Sequence, residues 1–421
     1  MCSITIIHNR LNKCLSKKPH WLSFMALLIL IPSSTSTMIN RINTCSPFPF
    51  IKFESNRISP ASKKLKSDYL AKYIELAKKG DTVLKIVHIG DSHIQADIFT
   101  GNVRRLLCQY FGEEHYSRGF CFPFSITGSN NPKDLIIRAK GQWASIRSRN
   151  MEADIYAGIA GTAIETADPE ATIQLLIKNQ DSIQTLFDQI RIHYEGDIES
   201  FTPLVDQDFY ATSKESNAIR YRSDHLSNSI TISFRKENDD QKRFLLYGIE
   251  LINSKSKIIY HAAGINGADV KSYLSYNRIK DQLINIKPQL IVVSLGTNDS
   301  YNQQFDSTSF GESLERLVES IQTYSPDAVI VLTTPGDHLI NRREINPNLE
   351  PTCTQIKLVA EKTGCFVWDF NTIMGGTGSI HNWRKNGLCS ADYVHLNTQG
   401  YTLQGNLFFN ALVDLFEREN L

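Results

Sequence analysis

The stretch Val83-Leu84-Lys85-Ile86-Val87-His88-Ile89-Gly90-Asp91-Ser92-His93 decides how the chain is read. An apolar, β-branched run stops at Gly90, a Gly-Asp-Ser turn follows, and an amphipathic helix pattern begins a few residues later. A short buried strand that ends at glycine and leads into a helix is how α/β enzymes present reactive groups at the carboxyl edge of a sheet. Gly90 would permit a tight bend there and leave Ser92 at that edge. Gly, Asp and Ser are also the commonest turn residues, so the stretch by itself fits an ordinary strand-to-turn junction equally well. The ends of the other strands decide between the two.

Downstream of Ser92, the segment Phe99 to Phe111 carries Phe99, Val103, Leu106, Leu107 and Tyr110 at helical spacing. Upstream, Leu65 to Lys79 reads as a Lys-rich helix. Further apolar runs occur at Lys257–Ala263, Gln289–Leu295, Ala328–Thr334 and Cys365–Phe370. Helical patterns separate them, at about Ala268–Ile286, Ser307–Tyr324 and Thr352–Lys362, with a last one at Thr398–Phe416. Continuous rather than alternating hydrophobicity implies parallel strands covered on both faces. With the Val83 strand this predicts a three-layer, doubly wound parallel sheet of flavodoxin-like size, strand order reversing between the first and third strands.

Between about Gly128 and Ser254 the pattern changes to period two: Ile190, Ile192 and Tyr194 alternate with polar neighbours, as do Ile230, Ile232 and Phe234. Turn residues separate these runs, which predicts a β-sandwich inserted into the α/β domain. Trp143, Tyr194 and Tyr210 in this region could stack on sugar rings or serve as core and rim aromatics of the sandwich.

The 421 residues are 41% hydrophobic and 21% charged with a net charge of +1, a globular composition large enough for more than one core. Near-neutral charge gives no electrostatic argument for nucleic acid as a partner. At the N-terminus Arg10, Lys13, Lys17 and Lys18 precede the apolar run Trp21 to Pro32 and the small polar residues Ser33 to Thr37. This reads as an export signal over residues 1–37, cleaved near Ser34-Thr35-Ser36 and too short for a comfortable membrane span, with an uncleaved anchor as the alternative. The mature chain is then expected to have no stable membrane insertion. The expected organisation is an α/β domain in two parts, 38–127 and 255–421, flanking the insert at 128–254. Cys45, Cys108, Cys121, Cys353, Cys365 and Cys389 remain after cleavage. An even number in an exported protein permits disulfides, and no spacing among them suggests zinc.

The strand ends, read together, form a hydrolytic set: Gly90-Asp91-Ser92, then Gly264-Ile265-Asn266-Gly267-Ala268, then Gly296-Thr297-Asn298-Asp299, and before the final helix Asp392-Tyr393-Val394-His395. A serine hydroxyl is a poor nucleophile at neutral pH and needs a base, which His395 can supply with Asp392 orienting its ring. The tetrahedral oxyanion needs donors fixed in advance, for which the Ser92 amide, the Gly267 amide and the Asn298 side chain are the candidates.

In these motifs the chain resembles the SGNH (GDSL-like) hydrolases. The resemblance implies a serine esterase or acyltransferase with no metal and no cofactor. Ser92 would be the nucleophile, Ser92, Gly267 and Asn298 the oxyanion donors, and Asp392 and His395 the rest of a triad. His93 departs from the pattern, which usually has leucine there. The segments His88-Ile89-Gly90-Asp91-Ser92-His93-Ile94-Gln95-Ala96-Asp97 and Gly264-Ile265-Asn266-Gly267-Ala268, with a β-domain between, look more closely like bacterial peptidoglycan O-acetylesterases. That implies an O-acetylated glycan as substrate and a periplasmic or cell-envelope location. An O-acetyltransferase, or an esterase on another acetylated polysaccharide, would share the same site. A binuclear-metal phosphoesterase also begins with Asp-x-His, but here Gly336-Asp337-His338 is only a stray fragment of its remaining ligand set.

Overall fold

The computed structural model describes residues 48–61, 68–146, 156–179, 184–206, 208–215 and 217–418. The expected export signal and Cys45 lie outside these residues. Residues 50–421 form one compact unit.

A six-stranded sheet carries the α/β part. Its strands are β1 (Ile58–Pro60), β2 (Leu84–Gly90), β3 (Ile258–Gly264), β4 (Leu290–Ser294), β5 (Val329–Thr333) and β6 (Phe366–Trp368), in the order β3-β2-β4-β5-β6-β1. The first five of that order are parallel, and β1 joins β6 antiparallel at the edge. Strand order therefore reverses between β2 and its two neighbours, β3 and β4, which leaves a crevice at their carboxyl ends. All seven residues of β2 except Lys85 are buried, as are all five of β5, the signature of strands covered on both faces. The sequence reading had no strand at β1. With three residues, one of them proline, it has no periodicity to detect, and an edge is where proline is tolerated.

The principal helices are α1 (Asp68–Lys79), α2 (Ile98–Phe111), α3 (Ser307–Tyr324), α4 (Leu349–Thr363) and α5 (Thr398–Phe416). Helix α2 packs on α5, and α3 on α4. Two of the starts have a side-chain cap: Asp306 accepts from Ser309 N at 2.7 Å ahead of α3, and Asn397 from Gly400 N at 3.0 Å ahead of α5. The helix expected over Ala268–Ile286 is instead two, Val270–Ser275 and Ile279–Ile286. Tyr276 between them has extended backbone angles, and Arg278 N bonds the Ala157 carbonyl, so tertiary contacts override the local pattern.

The β-rich residues form two antiparallel sheets. The larger runs Tyr210–Glu215, Ala218–Ser227, Phe187–Tyr194, Phe244–Ile252, Ala163–Thr166, Ala144–Ile146, and Gly119–Cys121 joins it by pairing with Ile249–Leu251. The smaller comprises Thr202–Val205, Ser229–Arg235, Thr172–Ile177 and Leu135–Lys140. Ser229–Arg235 alternates buried and partly buried residues as its sequence suggests, with Arg235 exposed at its end. Phe187–Tyr194 does not: Arg191 and His193, the polar alternates, are buried too. Their far face packs toward the α/β part, where Arg191 Nη1 donates to the Asn285 carbonyl at 3.1 Å. Tyr194 is a core residue stacked on Phe244 at 5.4 Å, and Tyr210 is half exposed.

Cys108, Cys121, Cys353, Cys365 and Cys389 are all buried free thiols, so the disulfides that an even count permits do not form among the described residues. They behave as small apolar side chains.

Candidate active site

Strand register places three of the motif loops side by side. Gly90 of β2 is level with Gly264 of β3 on one side and Ser294 of β4 on the other. The loops carrying Ser92, Gly267 and Asn298 therefore leave the sheet at one height. Close packing, rather than an unusual turn, explains Gly90. Its φ is not in the left-handed region, but a Cβ there would sit 2.5 Å from Ile94 Cγ1 and 2.6 Å from the Ser294 carbonyl. Gly264 answers the same need, since its Cβ would lie 2.6 Å from the Asp91 carbonyl. The two glycines let the short helix Ser92–Gln95 press onto the strand ends.

Asp91 caps that helix, accepting from His93 N at 2.9 Å, which turns Ser92 outward. Burial pushes the Asp91 carboxyl up to about 6. Ser92 Oγ lies 2.8 Å from His395 Nε2, and His395 Nδ1 lies 2.8 Å from Asp392 Oδ2. Asp and His sit three residues apart because the chain curls around the carboxylate: Asp392 Oδ1 accepts from both Val394 N and His395 N at 3.0 Å. Tyr393, at φ 58°, absorbs the tight curvature, and the Cys389–Leu396 bridge closes the loop beneath. Burial works against the charge on Asp392, but those amides and the imidazole together hold its carboxyl below the usual carboxylate range. The loop is open to solvent, with His395 40% and Asp392 37% exposed.

Gly267 has φ +82°, a backbone region that favours glycine, and a Cβ on it would meet nothing within 4 Å. Asn298 Nδ2 donates to the Ala268 carbonyl at 2.8 Å, so one amide hydrogen is used and one remains. Asp299, next in the motif, accepts from Val270 N at 3.1 Å, and burial raises its carboxyl to about 7.

The departure at His93 has a partner that local sequence could not show. Its Nδ1 is 2.7 Å from the Tyr401 hydroxyl on α5, and its ring lies 5.0 Å from that of His395. Burial, with His395 beside it, pushes the His93 imidazole down to about 3. His338 lies close by, held by Asn346 Nδ2 at 2.9 Å and the Gly336 carbonyl at 2.9 Å, while Asp337 Oδ2 accepts from Ile380 N at 2.8 Å. The Gly336-Asp337-His338 fragment thus braces loops. Among the described residues no group of three His, Cys, Asp or Glu side chains is placed to hold a metal ion.

Residues 228–403 match the GDSL-like lipase/acylhydrolase family. That stretch, less than half of the chain, is similar to this family. The matched stretch contains Gly267, Asn298, Asp392 and His395 and the last two antiparallel strands, whereas Ser92 precedes it. No curated protein matches the chain. Among solved structures, one described as a peptidoglycan O-acetylesterase is similar at 20% identity over 85% of this chain and 99% of its own, with a TM-score of 0.71. An acetyl xylan esterase matches at 20% identity over 38% of this chain and 83% of its own, TM-score 0.32. A family two carbohydrate esterase from Cellvibrio japonicus matches at 10% identity over 67% of this chain and 99% of its own, TM-score 0.30. Only the first likeness is strong enough to bear on the fold. It extends over the antiparallel strands as well as the GDSL-like part.

Proposed function

We propose that this GDSL-like serine esterase removes O-acetyl groups from a cell-wall glycan, with peptidoglycan the favoured polymer, through an acyl-enzyme on Ser92. The observation that carries the proposal is the continuous chain from Ser92 Oγ through His395 to Asp392, 2.8 Å at each step. The His395 Nε2 atom takes the proton as Ser92 Oγ bonds to the acetyl carbonyl carbon, and Asp392 holds Nδ1–H and stabilises the imidazolium. The carbonyl oxygen gains the negative charge, facing the Ser92 and Gly267 amides and the free hydrogen of Asn298. Collapse breaks the bond to the sugar oxygen, which leaves with the proton from His395. Water then repeats the sequence on the acetyl-serine and releases acetate.

The polymer is inferred from the likeness to a structure described as a peptidoglycan O-acetylesterase and from the export signal expected over residues 1–37, which together favour action in the cell envelope. We read residues 128–254 as an inserted β-sandwich that engages polymer beside a three-layer hydrolase domain. No helix among the described residues is long and apolar enough to cross a membrane. The test is acetate release from O-acetylated peptidoglycan, O-acetylated xylan and a small aryl acetate by the wild type and Ser92→Ala. We expect the highest kcat/KM on peptidoglycan and no turnover by the variant. A preference for xylan would overturn the polymer assignment, and turnover by Ser92→Ala would overturn the mechanism.

A further inference from the structure

We propose that Gln95 is a positioning residue for the Gly267 donor, tying the oxyanion loop to the same short helix that presents Ser92. The proposal rests on the reading of Ser92 as nucleophile and Gly267 as donor. Gln95 closes the helix Ser92–Gln95 and is 2% exposed. Its carboxamide is used on every side. The Oε1 atom accepts from Asn266 N at 2.6 Å, while Nε2 donates to Ser129 Oγ at 2.9 Å and to the Asn130 carbonyl at 2.9 Å. A buried amide satisfied in this way has one orientation, because flipping it would set donor against donor at Asn266.

Gly267 has little else to hold it. It is exposed, in a left-handed conformation, and nothing packs where a Cβ would be. Its flanks are what is fixed: Asn266 by Gln95, and Ala268 by Asn298 through the bond at 2.8 Å. The Asn266 side chain adds a second tether on the same side, donating to Ser129 Oγ at 3.2 Å and to Asn130 Oδ1 at 3.0 Å. Nucleophile and donor must be held in register, because a preorganised donor loses its effect when displaced by a fraction of an ångström. Here the register runs through four residues of helix and one hydrogen bond.

The experiment uses the full chain and an aryl acetate, with kcat normalised to the Ser92 sites titrated by a fluorophosphonate. Gln95→Leu removes all three bonds and is expected to lower kcat by about 10- to 100-fold with KM changed by only a few-fold, since the donor is displaced rather than deleted. Acylation and deacylation should slow together, because both pass through the same oxyanion. Gln95→Glu keeps an acceptor for Asn266 N and is expected to retain more kcat than Gln95→Leu. A residue that only filled space would give the reverse order, because leucine is the gentler occupant of a buried site than a carboxylate. Should the leucine variant fail to fold, Gln95→Asn, one methylene short of Asn266, carries the same expectation of a kcat-specific loss. Wild-type kcat in either the leucine or the asparagine variant, with the label still on Ser92, would overturn the role of Gln95 alone. A label on another residue would instead overturn the reading on which it rests.

Discussion

On the proposed mechanism, Asn298 serves two ends with one side-chain amide. One hydrogen is bonded to the Ala268 carbonyl, which steadies the loop flanking Gly267, and the other is available to a developing oxyanion. Removing one oxyanion donor typically costs about 10²–10³ in kcat, and losing a loop hydrogen bond costs about 1 kcal/mol of stability. Asn298→Ala should therefore show both effects: kcat down by about that factor, KM within a few-fold, and a modest fall in Tm, all measured on one preparation. A fall in Tm with near-normal kcat would leave Asn298 a purely structural residue. The loops that carry Ser92, Gly267, Asn298, Asp392 and His395 were legible as short motifs, three at strand ends and the last before the final helix. The reason for Gly90 was not, since it is a contact with Ile94 and with Ser294 on a neighbouring strand. Nor was the partner of His93, because Tyr401 is remote in sequence and no local pattern joins them.

At the scale of single elements, the strands Phe187–Tyr194 and Phe244–Ile252 carry an ionic cluster inside the protein. Glu250 Oε1 accepts from Arg191 Nη1 at 2.6 Å and lies 2.7 Å from His193 Nε2, and all three side chains are buried. Burial opposes the charge on Glu250, yet Arg191 and the two histidines around it hold its carboxyl far below the ordinary range. Removing the carboxylate leaves a buried guanidinium unpaired, so Glu250→Ala should lose about 3–5 kcal/mol in denaturant unfolding, with kcat per folded molecule unchanged. Because the folded-state value is depressed, this stabilisation is complete above the unfolded carboxyl value of about 4.3 and is lost as pH falls toward the folded one. The Tm difference between wild type and Glu250→Gln should accordingly be constant near neutrality and narrow in strong acid. A difference that widened with acidification would contradict the pairing. Period-two reasoning found the first of these strands through Ile190, Ile192 and Tyr194, but it assigns Arg191 and His193 to an outward face. It cannot show that this face meets another part of the same chain.

Across the whole molecule the α/β sheet and the antiparallel sheets are not separable by simple excision. Gly119–Cys121, which precedes the expected boundary at 128, pairs with Ile249–Leu251, which lies before the boundary at 254. Phe120, Phe122 and Phe124 share one apolar cluster with Val87 of β2 and Ala263 of β3. Replacing residues 128–254 by a linker removes the partner strand and uncovers those aromatics, so the product should aggregate or lack near-ultraviolet circular dichroism. A soluble, folded product able to hydrolyse aryl acetates would contradict this shared core. The parallel strands themselves were legible from continuous apolar runs and strand-end motifs. The depth of the junction was not, because it is built from side chains contributed by both parts. Rapid acid quench during the first turnover of an aryl acetate, followed by peptide mapping, tests the Ser92 chemistry directly. An acetyl group is expected on Ser92 and absent in Ser92→Ala. An acetyl group on another residue, or steady turnover with no acetyl-serine in the quenched enzyme, would contradict it.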